Sequence, residues 1–180
     1  DSDNGTDIKM TMRGNKVFNN WNRILFFKIS QPENSGNNNA NYGTENFTQI
    51  WDGQGLYVTR SDDNYNGVFL FENNLCVNNG KNGINFDHSL AASAIMQNNT
   101  IFFNGVHEII QDISENNEGN TPHRGQKVGG IKSNKVENTT VVNNIIVTRD
   151  NLFTALQLND NTGTRVVTDN IFLNGSIPSD

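Results

Sequence analysis

Five segments of this chain repeat one pattern: an apolar strand, a polar bend ending in Asn, a second apolar strand and an Asn-Gly-type turn. They read IKMTMRGNKVFNN from Ile8, VFLFENNLCVNNG from Val68, AIMQNNTIFFNG from Ala94, TVVNNIIVTRD from Thr140 and RVVTDNIFLNG from Arg165. The bend residues align as Asn15, Asn74, Asn99, Asn144 and Asn170, separated by 59, 25, 45 and 26 residues. Two separations near 25 match one turn of a three-sided parallel coil. The other two equal one turn plus an excursion. Both excursions are Gly/Asn-rich with Pro and read as loops, QPENSGNNNANYGTE at 31–45 and SENNEGNTPHRGQ at 114–126. A third short strand follows the turn in several repeats, as GLYV (Gly55 to Val58), GINF (Gly83 to Phe86), HEII (His107 to Ile110) and GGIK (Gly129 to Lys132).

A fixed repeat of this size means that one unit cannot bury its own apolar face, whereas stacked units can. Two positions past each bend Asn stand Val17, Cys76, Ile101, Ile146 and Phe172, a wholly apolar column expected to point inward. The next column, Phe18, Val77, Phe102, Val147 and Leu173, is apolar too. Strict alternation fails there, so that strand packs on both faces or carries a bulge. Asn suits the bend because it tolerates the left-handed backbone region. Its amide can also donate to one neighbour and accept from the other, which predicts a side-chain ladder. The expected fold is all-β: one right-handed parallel β-helix domain over residues 1–180, of about five to seven rungs. A fragment of, or a repeating unit in, a larger assembly is the expected setting for such a domain.

Composition supports repetitive order over disorder. Only 34% of the 180 residues are hydrophobic, but 11 are Phe and the apolar triplets recur. The 34 Asn are several-fold above common usage. The net charge of −6 comes without a Lys/Arg cluster, which argues against a nucleic-acid partner. The single Cys, Cys76, excludes an intrachain disulfide. No apolar run approaches the roughly 20 residues that span a bilayer.

The run from Asp52 to Gly105, with DGQGLYV, ENNLCVNNGKNGINF and NNTIFFNG, resembles the right-handed parallel β-helix superfamily, which includes pectate, alginate and other polysaccharide lyases. The resemblance implies an extracellular, carbohydrate-handling protein. In lyases of this shape a Lys or Arg removes the proton next to a uronate carboxyl, and calcium or basic residues offset the carboxylate. The Gly-His-Gly and Arg-x-Lys signatures of the polygalacturonases are absent, so that branch is set aside. Arg60, Lys81 and His88 lie on or beside the strand whose outer face carries the active groove in this superfamily. They are the candidates for a catalytic base or substrate clamp.

Stacking adds a candidate metal site. With Leu56, Ile84 and Ile109 aligned as one inward column, Thr59, Asp87 and Asp112 follow three residues later. Asp87 and Asp112 then sit about 5 Å apart on adjacent rungs. Two such carboxylates repel unless a proton or cation lies between them. Asp62 and Asp63 supply further oxygen ligands, a set suited to calcium. The competing reading is solvated turn residues. Tyr57 and Trp51 offer aromatic faces for stacking on sugar rings. Asn-x-Ser/Thr sequons at Asn4, Asn46, Asn98, Asn138 and Asn174 permit N-glycosylation.

Two functional classes remain open. One is a secreted, carbohydrate-associated, polysaccharide lyase-like protein, whose substrate, if it is an enzyme, is a uronate-containing polymer. The other is a non-catalytic structural or adhesive module. Its open coil ends seek partners, so that copies stack end to end into an extracellular, glycosylated fibre.

Overall fold

The computed structural model describes residues 7–20, 26–27, 48–49, 53–60, 65–105, 128–149, 154–175 and 177. Among them there is no helix. Parallel strands stack into three sheets. The first holds β1 (Ile8–Arg13), β6 (Val68–Glu72), β9 (Ser93–Gln97), β12 (Thr139–Val142) and β15 (Arg165–Thr168) in that order. The second holds β2 (Lys16–Phe18), β7 (Leu75–Val77), β10 (Thr100–Phe102), β13 (Ile145–Val147) and β16 (Ile171–Leu173). The third holds β5 (Leu56–Thr59), β8 (Ile84–Ser89), β11 (Val128–Val136) and β14 (Thr154–Asn159). The chain visits the three sheets in turn, an arrangement consistent with a parallel β-solenoid. A short antiparallel pair, β3 (Phe26–Phe27) with β4 (Thr48–Gln49), brackets the excursion read at 31–45. Both excursions lie outside the described residues.

The aligned asparagines form a ladder at the corner between the first and second sheets. The backbone N–H and the side-chain amide of each Asn donate to Oδ1 of the next. The distances are 3.0 and 2.9 Å from Asn15 to Asn74, 3.0 and 2.9 Å from Asn74 to Asn99, and 2.9 Å for both bonds from Asn99 to Asn144 and from Asn144 to Asn170. The second amide hydrogen of Asn74, Asn99, Asn144 and Asn170 goes to a backbone carbonyl of the preceding layer: Met12, Phe71, Met96 and Val141 respectively. The three central members are at most 2% exposed, so the bonds replace water they cannot reach.

The two tasks expected of one bend residue fall on two consecutive residues. The left-handed conformation belongs to the residue before each ladder Asn: Gly14 (φ 70°), Asn73 (54°), Asn98 (57°), Asn143 (54°) and Asp169 (57°). That turn swings the next side chain inward, where it meets its neighbours. A second ladder, which the sequence pattern presented only as an Asn-Gly turn, fills the next corner. There Asn79 receives a bond from the Asn20 backbone and donates to Asn104 Oδ1 at 2.7 Å.

The column Val17, Cys76, Ile101, Ile146 and Phe172 stacks in direct register. Cys76, Ile101 and Ile146 are fully buried. Burial pushes the Cys76 thiol up to about 12, as befits an inert core thiol. The flanking apolar column is neither packed on both faces nor bulged. Its pairing is regular and it points to solvent, with Phe18 62% exposed. Opposite, Met12, Phe71, Met96, Val141 and Val167 form the matching column of the first sheet. Phe86 closes the core from the third sheet, in ring contact with Phe69 and Phe71.

At two glycines, Gly55 against Gly83 and Gly130 against Ala155, the layers touch backbone to backbone. A Cβ on Gly130 would lie 1.8 Å from the carbonyl oxygen of Ala155, so only Gly lets β11 approach β14 there.

Asn99→Ala strands two donors of Asn74 inside the stack and removes the side-chain bonds to Asn144 Oδ1 and the Phe71 carbonyl, leaving Asn144 only the backbone N–H of residue 99. We expect it to destabilise the fold by about 3 kcal/mol. Asn15→Ala, at an exposed end of the ladder, should cost under about 1 kcal/mol because water can substitute. Urea unfolding midpoints of the two variants test this; equal losses contradict the burial argument.

Candidate functional site

The third sheet turns apolar side chains inward and polar ones outward. Leu56, Ile84, Ile131 and Leu156 pair in register as the inner column. The strand beside β8 is therefore the one carrying Gly129 to Lys132, and Ile131 takes the place expected for Ile109, which lies outside the described residues. The register changes the acidic pair too. The neighbours of Asp87 are Thr59 on β5 and Asn134 on β11. Asn134 occupies the position expected for Asp112, itself outside the described residues with Asp62, Asp63 and Trp51. Among the described residues no group of three or more His, Cys, Asp or Glu side chains is placed to hold a metal ion.

One step along from the inner column, Tyr57, Asn85, Lys132 and Gln157 stand side by side on the outer face. Two residues further, Thr59, Asp87, Asn134 and Asn159 form a second outer row. Tyr57 is 44% exposed, whereas Asn85 and Lys132 are buried. Among the described residues, Oδ1 of Asn85 and Oε1 of Gln157, which flank the lysine strand, are buried without a hydrogen-bond partner. Such acceptors are costly in a finished interior.

Asp87 organises the second row. Asn134 donates to its Oδ1 at 2.5 Å, and His88 Nδ1 lies 2.7 Å from the same oxygen. A carboxylate holding one ring nitrogen orients the imidazole and leaves the other nitrogen to act as acid or base. His88 is accessible, with its side chain 43% exposed. Burial lowers the Lys132 amine from its usual value near 10.5, and the charge of Asp87 partly opposes that shift. A lysine whose amine is held neutral over a wider pH range in this way can accept a proton.

The remaining sequence candidates divide by position. Arg60 and His88 occupy equivalent corners, both left-handed (φ 53° and 54°), and Lys135 and Asp160 share the conformation at the following corners. The backbone N–H of Arg60 donates to the carbonyl of Asp87 at 3.0 Å. Lys81 is half-buried in the turn before β8, at the other end of that strand, so the structure does not gather it with Arg60 and His88. Of the sequon asparagines, Asn98 and Asn174 are exposed at left-handed corners. Asn138 is half-buried and donates to Ser93 Oγ at 3.0 Å. Asn4 and Asn46 lie outside the described residues.

Lys132 escaped the sequence reading because GGIK was aligned only as a strand. Its sequence signal was parity: Ile131 points inward, so Lys132 must face out beside Asn85. Compared with known proteins, the chain matches no family model, no curated protein and no solved structure. The geometry alone therefore supports a functional reading.

The lowered pKa of Lys132 has a measurable consequence. Between that value and about 10.5, the unfolded chain holds the proton and the folded chain does not. Stability contributed by this site therefore rises with pH across that window. Lys132→Met should remove the rise. Urea midpoints over a series of alkaline pH values test this, and identical pH dependence in both proteins removes the desolvated-lysine reading.

Proposed function

We propose that this chain is an extracellular, carbohydrate-associated right-handed parallel β-helix of about five to seven rungs. In this reading the outer face of the third sheet engages a uronate-containing polymer in the manner of a polysaccharide lyase. Right-handedness follows from the near-universal hand of parallel crossovers, about 98%. The observation that carries the function is Lys132, a buried lysine with a lowered pKa, two residues along the same face from the Asp87–His88–Asn134 group. β-Elimination from a uronate needs an acid–base pair, which takes the proton beside the carboxyl and protonates the glycosidic oxygen that leaves as its C–O bond breaks and the double bond forms, and a cation or hydrogen-bond donors for that carboxyl. Lys132 and His88 supply the first requirement between them; Arg60, at the adjacent corner, supplies the second. The exposed ring of Tyr57 suits a sugar face. Calcium is the proposed ion for offsetting the substrate carboxylate. Exposed Asn98 and Asn174 are the sequons most open to a glycan.

A second reading has its own observation. The first ladder is polar: Asn15 Oδ1 receives no bond and the Asn170 backbone N–H gives none among the described residues, so its two ends are complementary. The edge strands bear exposed apolar residues, Ile8 (53%) and Met10 (40%) at one end, Val166 (40%) and Val167 (43%) at the other. Another unit docked head to tail would continue both features, which favours a structural fibre module.

The test is incubation with polygalacturonate, alginate and a glucuronate polymer, with and without calcium, reading the ultraviolet absorbance of the unsaturated product. Wild type should release product from one of them. Lys132→Met should lower kcat by roughly 10²-fold or more, as loss of a general base does. Binding without product on any polymer reduces the reading to a carbohydrate-binding module, and neither binding nor product leaves the fibre.

A further inference from the structure

Among the described residues, the outer face of the second sheet is apolar and no other strand packs on it. Each of its three-residue strands turns the middle side chain inward and both flanking ones outward. Ten outward positions result, and eight are apolar; only Lys16 is charged and only Thr100 is neutral and polar. Phe18 (62%), Leu75 (36%), Phe102 (38%), Ile145 (42%), Ile171 (53%) and Leu173 (53%) are exposed. At roughly 150–200 Å² for a side chain of this size, these six present roughly 500 Å² of apolar surface. That equals the largest patches usually left open on a monomer, about 300–600 Å². Covering the five that lie on β7, β10, β13 and β16 on two molecules removes roughly 800 Å², which suits a weak, transient interface.

We propose that this face is the interface of a two-fold symmetric homodimer. The pattern of side chains selects a second copy as the partner. Along the stack the outer column runs Phe18, Val77, Phe102, Val147, Leu173, alternating large and small at a spacing of about 4.8 Å. Facing layers pack well when large residues meet small ones. A surface with the same repeat, displaced by one strand, meets that condition along its length, and another copy of this chain supplies it. A two-fold axis parallel to the strands, between β10 and β13, sets Phe102 over Val147 of the second copy. It also sets Val77 over Leu173 of the second copy. β2 then falls at the rim, where the Lys16 amine stays in water while its stem lies on the apolar edge. The contact is isologous and closes at two, unlike a head-to-tail stack. It uses a different sheet from the proposed carbohydrate face and stands or falls independently of it.

Sedimentation equilibrium across a concentration series tests the proposal. Wild type should pass from monomer to dimer with a micromolar midpoint and stop there. Phe102→Lys should raise the dissociation constant at least tenfold with an unchanged far-ultraviolet circular dichroism spectrum. Phe102→Ser makes the same test without a new charge. Position adds a second readout. Thr100→Cys, close to the axis, should be joined into dimers by a short bismaleimide. Thr140→Cys, on the outer face of the first sheet, should not, and the buried Cys76 stays unreactive in both. A wild type that remains monomeric at every concentration, growth beyond the dimer, or equal cross-linking of the two cysteine variants overturns the proposal.

Discussion

A buried amide must find partners for two donors and two acceptor lone pairs, and the amides of the first ladder find theirs chiefly in the layers above and below. That requirement sets the stacking register. A one-residue slip of any strand would carry its ladder Asn out of line and leave its neighbours' amides unpaired in a dry interior. It would also turn Cys76 or Ile146 toward solvent and a polar neighbour toward the core. Hydrogen bonding and hydrophobic burial thus demand the same register at the same corner, the mutual consistency that gives one fold a clear advantage over its alternatives. The bonds also polarise one another along the row, so the central members Asn74, Asn99 and Asn144 contribute more as a group than their pairs suggest.

The ladder works because each corner divides its labour. A left-handed residue makes the bend, and the residue after it enters the stack. Asn is well suited to both positions, since it reaches the left-handed region more readily than most residues and its amide is short. This explains a composition that would otherwise read as low complexity. At the third corner the same left-handed geometry serves Arg60, His88, Lys135 and Asp160. These side chains lie outside the stack, so the corner presents chemistry to solvent instead of burying an amide. The scaffold repeats, and the variation falls on its outer surfaces.

The three outer faces differ accordingly. The third sheet carries amides, a hydroxyl, an Asp–His pair and a desolvated lysine. The second carries two rows that are almost wholly apolar. The same backbone stack thus presents one polar and one apolar outer face. Nothing in the inner columns separates the two, because the inner residues Ile84, Ile101, Ile131 and Ile146 are interchangeable in character.

The sequence by itself determined the stack. Five aligned asparagines, their separations and the apolar column beginning at Val17 were enough to place the strands of the first two sheets in correct register, because that register is written as a local repeat. The third sheet was only partly legible. Its strand at Thr154–Asn159 lacks the Asn-bend signature, and HEII imitates the apolar pattern of the strand from Gly129 that pairs with β8. Which segment returns to the stack after a long excursion depends on closure of the whole layer, and local composition does not carry that information. The same gap hid the candidate site: Asp87 could be named from the sequence, but only the tertiary register set Asn134 beside it and Lys132 two residues away on the same face. It also decided that the second apolar column faces solvent, because a strand of three residues has one inward side chain however apolar its neighbours are.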